Sequence, residues 1–63
     1  VKRRDVMKRL RETAKADGVG ISETEGGSHT KVQFSDGRRT VVPRHNEINE
    51  NTANSILKQM GVK

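Results

Sequence analysis

The dipeptide Asp36-Gly37 stands between two stretches of alternating or β-branched residues, Thr30-Lys31-Val32-Gln33-Phe34 before it and Arg39-Thr40-Val41-Val42 after it. That arrangement commits the middle of the chain to a β-hairpin, because Asp-Gly favours a tight reversal and β-branched residues suit a pleated, half-buried surface. Pro43 closes the second strand. Two registers are open. A two-residue loop pairs Ser35 with Arg38 and sets His29 opposite Arg44, whereas a three-residue loop with Gly37 in the left-handed position pairs Phe34 with Arg38 and sets His29 opposite Pro43, with His45 diagonal to it. The second register is preferred because it gathers Val32, Phe34, Thr40 and Val42 on one face. In either register His29, Lys31 and Gln33 point away from that face.

Helical periodicity flanks the hairpin. Val6, Met7, Leu10 and Ala14 recur at helical spacing over residues 3–16, with Gly18 as the stop, and the opposite face carries Lys8, Arg11 and Lys15. Asn49 is a fitting N-cap for a second helix that holds Ala53, Ile56, Leu57 and Met60 and ends at Gly61. Between the first helix and the hairpin, Val19, Ile21 and Glu23 alternate with smaller residues, which predicts a further strand over 19–25. The sequence therefore predicts an α+β fold of order α-β-β-β-α, a small sandwich with two helices on one face of a three-stranded antiparallel sheet and the other face open.

With 63 residues, residues 1–63 are expected to form one domain whose core is marginal and gains from a partner. No cysteine is present, which excludes disulfides, thiolate metal sites and cysteine nucleophiles. No stretch suits a signal peptide or a membrane span, so a cytoplasmic location without membrane association is expected. The net charge of +5 is unevenly distributed, at +4 over residues 1–17, −2 over 18–37 and +3 over 38–63. Two basic segments around an acidic one suggest a polyanion-binding surface with a direction.

Chemistry centres on Gly26-Gly27-Ser28-His29, which places a ring able to give or take a proton at the mouth of a strand. The glycines permit close backbone approach by a bulky substrate, and Ser28 offers a hydrogen bond. A metal site fails on ligands, since the two histidines stand sixteen residues apart with no cysteine and no close acidic pair. The glycines match neither a phosphate loop nor a dinucleotide fingerprint. RNA cleavage suits the inventory better and requires no cofactor. A base takes the 2′-hydroxyl proton, an acid protonates the departing 5′-oxygen, and cations offset the charge on phosphorus. His29 and His45, with Arg44 and Lys31, could supply these roles. The plainer reading leaves His29 ordering its turn and His45 exposed in a loop.

Gly27-Ser28-His29 leading into a strand, the run Asp36 to Pro43 followed by His45, and Thr52 through Ile56-Leu57-Lys58-Gln59-Met60-Gly61 resemble the HicA-type mRNA interferase toxins over nearly the whole chain. The resemblance implies a double-stranded-RNA-binding-like fold, ribosome-independent cleavage of mRNA, and neutralisation by a HicB-type antitoxin, with any oligomer assembled through that antitoxin. It puts the catalytic histidine at His29, positioned by Gly27 and Ser28. Lys31, Arg38, Arg39 and Arg44, with Lys8, Arg11 and Lys15, are the expected RNA-binding cations. The chain departs from the family at Gly18-Val19-Gly20, where a large aromatic residue often stands, and at Thr30, where a second histidine or aromatic often follows the first. Phe34 is the one aromatic and its parity turns it inward, so binding rests on charge and hydrogen bonds and sequence preference should be weak. A non-catalytic basic module binding RNA or DNA is the alternative, and a small interaction subunit without a nucleic-acid role is a third.

Overall fold

The computed structural model describes residues 1–62. Its elements run α1 (Arg3–Ala16), β1 (Ile21–Gly26), β2 (His29–Phe34), β3 (Arg39–Pro43) and α2 (Glu50–Gln59). The sheet is antiparallel in the order β1-β2-β3, and both helices pack on one of its faces, giving the expected α-β-β-β-α arrangement. The hairpin takes the three-residue register: His29 pairs with Pro43 and Val32 with Thr40, while the Phe34 N–H donates to the Arg38 carbonyl at 2.7 Å.

The core lies between the sheet and the helices. Val6, Met7, Leu10 and Ala14 from α1 meet Val32, Phe34 and Val42 from the sheet and Ala53, Ile56 and Met60 at α2, with Ile48 from the preceding loop. Phe34 is fully buried and supplies the largest side chain of this core, with the Arg38 guanidinium 4.9 Å from its ring centroid.

Both helices end in the same cap. At α1 the Gly18 N–H donates to Lys15 O at 3.2 Å and the Val19 N–H to Ala14 O at 2.9 Å; at α2 Gly61 donates to Lys58 O at 3.1 Å and Val62 to Leu57 O at 2.9 Å. Each glycine has positive φ, and each following valine packs against the core, the hydrophobic closure of a Schellman motif. This cap is why β1 begins at Ile21 and not at Val19: the Val19 amide is committed to the helix. The start of α2 is as expected, with the Asn49 side chain accepting from the Asn51 N–H at 2.8 Å.

Candidate active site

Strand parity sorts the sheet residues into two sets. Register places Gly26, His29 and Pro43 in one row across the sheet, Thr24, Lys31 and Val41 in the next, and Ser22, Gln33 and Arg39 in the third, all on the face away from the helices. No carboxylate stands in these rows. The intervening positions carry the acids of β1, Glu23 and Glu25, together with Val32, Thr30 and Phe34 on the helix side. The acidic middle segment therefore turns its strand carboxylates away from the face that presents His29.

On the helix side those acids meet cations. Arg11 of α1 forms a two-pronged pair with Glu23, Nε and Nη2 each 2.9 Å from a carboxylate oxygen. The hydrogen bonds from Arg11, aided by its charge, hold the Glu23 carboxyl below its ordinary value against the opposing effect of burial, and the same contact raises the Arg11 guanidinium. Arg44 reaches Glu25 at 3.2 Å and donates to the Gly27 carbonyl at 3.3 Å. Fully buried Thr30 donates to Glu25 at 3.2 Å and accepts from Arg3 Nη2 at 2.7 Å, and Arg3 Nε also donates to Pro43 O at 3.1 Å.

These bonds brace the end of the sheet that carries His29. Gly27 and Ser28 form the two-residue connection between β1 and β2, His29 is the first residue of β2, and its partners are Gly26 on one side and Pro43 on the other. The Arg44 N–H extends the ladder by donating to Ser28 O at 3.1 Å. Arg3 holds the underside of this end and Arg44 its rim, while the exposed His29 ring projects from the open face. A shallow concavity beside the ring is bordered by Thr24, Glu25, Gly26, Gly27, Ser28, His29, Lys31 and Val41, with the Glu25 carboxylate at this rim held by Arg44.

The sequence-predicted residues are distributed over three regions. Gly27, Ser28, His29 and Lys31 meet in the concavity, with Arg39 one row beyond Lys31 on the same face. Arg44 borders the turn and is paired with Glu25. Arg38 lies at the far end of β2, where it pairs with Asp17 at 2.9 Å and Asp36 at 2.8 Å and donates to Met60 O at 2.7 Å. The Arg38 hydrogen bonds depress the Asp36 carboxyl, and Asp36 and then Asp17 raise the Arg38 guanidinium. Lys8, Arg11 and Lys15 belong to α1, on the opposite side of the sheet from His29. His45 lies in the exposed bend after β3 and does not border the concavity. Beyond it the chain turns away to meet α1, with the Arg3 N–H donating to Asn46 O at 2.9 Å and Lys2 bridging Glu47.

Arg3 and Glu25 are the positioning residues that the sequence reading missed. Their signal was available in the phase of β1: once Ile21 faces the core, Glu23 and Glu25 must face the helices too and need cations there. Thr30 is explained in the same way, since its parity places it under the sheet and away from any substrate at His29. Among the described residues no three His, Asp or Glu side chains could share a metal ion, and no helix is long and apolar enough to cross a membrane.

No curated protein and no solved structure matches the chain. A family model described as the HicA toxin of bacterial toxin-antitoxin matches residues 3–62, which takes in both helices, the whole sheet and the turn that presents His29. The chain belongs to the HicA toxin family of type II toxin-antitoxin systems.

Proposed function

We propose that this protein is a ribosome-independent endoribonuclease acting on mRNA in the cytoplasm, with His29 as its general acid-base group. The observation that carries this reading is an exposed imidazole beside Lys31 on a sheet face whose three cross-strand rows hold no carboxylate. A polyanion approaching such a face meets one carboxylate at the rim of the concavity, Glu25, whose charge Arg44 offsets at 3.2 Å. His29 takes the proton of a ribose 2′-hydroxyl, the 2′-oxygen attacks the adjacent phosphorus, and the 5′-oxygen departs with a proton drawn from solvent. The products are a 2′,3′-cyclic phosphate and a 5′-hydroxyl, and no metal is required. Lys31 stands two residues along β2, about 7 Å away at roughly 3.4 Å per residue, and offsets the charge that gathers on the phosphoryl oxygens.

Gly27 and Ser28 let the RNA backbone approach the ring, while Arg44 keeps the turn in place through the Gly27 carbonyl. His45 has no part in this step. In the toxin-antitoxin setting, a HicB-type antitoxin covers the His29 face, and acidic or aromatic groups over it would imitate phosphate and exclude substrate. The deciding experiment is His29→Ala, which should lower cleavage of a single-stranded RNA by at least about 10²-fold. Its circular dichroism and melting temperature should remain those of the parent, because the ring is exposed. Full cleavage by the folded variant would eliminate His29 as the acid-base group, and retained RNA binding without cleavage in the parent would favour the non-catalytic module.

A further inference from the structure

Lys31 and Val41 border the His29 concavity and also a second, larger groove of about 810 Å³ that runs along the free edge of β3. One wall of this groove is α2, whose exposed Asn51, Ser55 and Gln59 recur every four residues and so form a single stripe along the helix. The other wall is the edge of the sheet, with Val32 and Thr40 on the α2 side and Lys31 and Arg39 on the open face, so the groove wraps around β3. None of the groove's lining residues is acidic. Among the described residues the side chains of Lys31, Arg39, Asn51 and Ser55 make no hydrogen bond or ion pair, and Gln59 uses only its carbonyl oxygen, which accepts from Thr40 at 3.0 Å. Cations and hydrogen-bonding groups without partners therefore line a channel continuous with the candidate active site.

We propose that this groove seats the single-stranded RNA flanking the scissile phosphate, with Lys31 and Arg39 on its phosphates and the Asn51-Ser55-Gln59 stripe hydrogen-bonding its bases. The inference rests on the RNA-cleavage reading and adds the path of the substrate to it. A strand of five residues is about 16 Å long, enough for a few nucleotides. A duplex is a poorer occupant, because its Watson–Crick edges are already paired and it is recognised mostly by shape and 2′-hydroxyl contacts, whereas unstacked single-stranded bases leave those edges free for amide and hydroxyl groups. An added protein strand is also disfavoured. Arg38 and Arg44 both bond inward to β2, so the alternation directs Arg39, Val41 and Pro43 outward. Of these Pro43 has no N–H, and its carbonyl is held by Arg3. The amide and hydroxyl stripe replaces the missing aromatic platform and gives a modest base preference.

Salt-dependent binding of a fluorescent single-stranded RNA of about ten nucleotides tests the phosphate contacts, with His29→Ala protein used to prevent turnover. Replacing Lys31 and Arg39 by glutamine together should weaken binding about fivefold or more and lower the log-log salt slope by about 1.4, near 0.7 for each cation lost. Asn51→Ala with Ser55→Ala, made with His29 intact, should leave that slope in place and shift the relative use of cleavage sites in a mixed-sequence RNA about two- to tenfold. An unchanged slope in the folded double-glutamine variant, or an unchanged site profile in the double-alanine variant, overturns the proposal. Loss of antitoxin capture by the glutamine variant with its RNA slope intact would assign the groove to a protein partner and also overturn it. A reduced slope in a protein that never cleaves RNA would support the groove while refuting the nuclease reading, so the two fail separately.

Discussion

A methyl group placed on Gly27 would meet no atom within 4 Å, and the residue lies outside the positive-φ region. Nothing in the free protein therefore requires glycine there, and any need for it must come from a molecule that approaches the turn. Gly27→Ala should melt no lower than about 2 °C below the parent and can melt a few degrees above it, since alanine lowers the entropy of the unfolded chain. It should nonetheless cleave RNA more slowly, through a raised KM, if the substrate backbone passes over the turn. Equal kinetics in the two proteins would place the RNA elsewhere. His45 gives the complementary prediction. It stands outside the concavity, so His45→Gln should retain cleavage within about threefold, far from the 10²-fold loss expected at a positioned acid-base group. Sequence alone could not separate the two rings. What separates them is the direction of the chain after Pro43, which is set by contacts with α1 forty residues earlier.

Among the elements, Arg38 joins three ends of the fold. It pairs with Asp17 at the C-cap of α1, bonds the carbonyl of Met60 at the C-cap of α2, and grips Asp36 in the hairpin loop. A cation there also complements the negative ends of both helix dipoles. Arg38→Ala should lower the melting temperature by about 5 °C or more in a domain of this size, with the His29 end of the sheet unaltered. Thermal denaturation paired with a cleavage assay at low temperature checks both halves of that statement.

Acid should weaken the same framework. Glu23 and Asp36 are held below their ordinary carboxyl values in the folded protein, so their stabilisation is present above about pH 4.5 and lost as pH falls through the depressed folded values. Glu23→Gln should consequently show a shallower loss of stability on that acid limb, measured by urea titration across pH.

Most element boundaries were legible because their causes are local; the start of β1 was not, because Val19 closes the helix cap instead of entering the strand. The Asp36-Gly37 loop, the Asn49 cap and the terminal glycines Gly18 and Gly61 each act within a few residues. The fate of the arginines was not, since Arg11 finds Glu23, Arg38 finds Asp17 and Arg3 finds Thr30 only after folding. A basic residue identified by composition can serve either phosphate or an acid of its own fold. The choice is made by strand phase and packing, which the linear charge pattern does not display.

At the scale of the whole molecule, the sheet divides the cations into two populations. Lys31 and Arg39 share the His29 face, while Lys8 and Lys15 lie on the helix layer behind it, in a molecule with extents of 28 × 24 × 16 Å. Lys8→Gln with Lys15→Gln should therefore leave the binding of a short oligonucleotide unchanged and reduce the salt slope only for long RNA that can wrap the particle. An equal effect on short and long RNA would show that the helix layer is itself the primary binding surface.

The segregation of the β1 acids also has a consequence for insertions and deletions. Because side chains alternate with a period of two, removing or adding one residue within Ile21–Gly26 would exchange the faces of part of that strand. Where the change falls between Glu25 and the turn, Glu23 and Glu25 would move to the open surface beside Lys31 and its neighbours, and Arg11 would lose its partner. A frame-preserving change of a single codon at that end of β1 would thus place two carboxylates on the proposed RNA-binding face while leaving every residue of the candidate site in the chain.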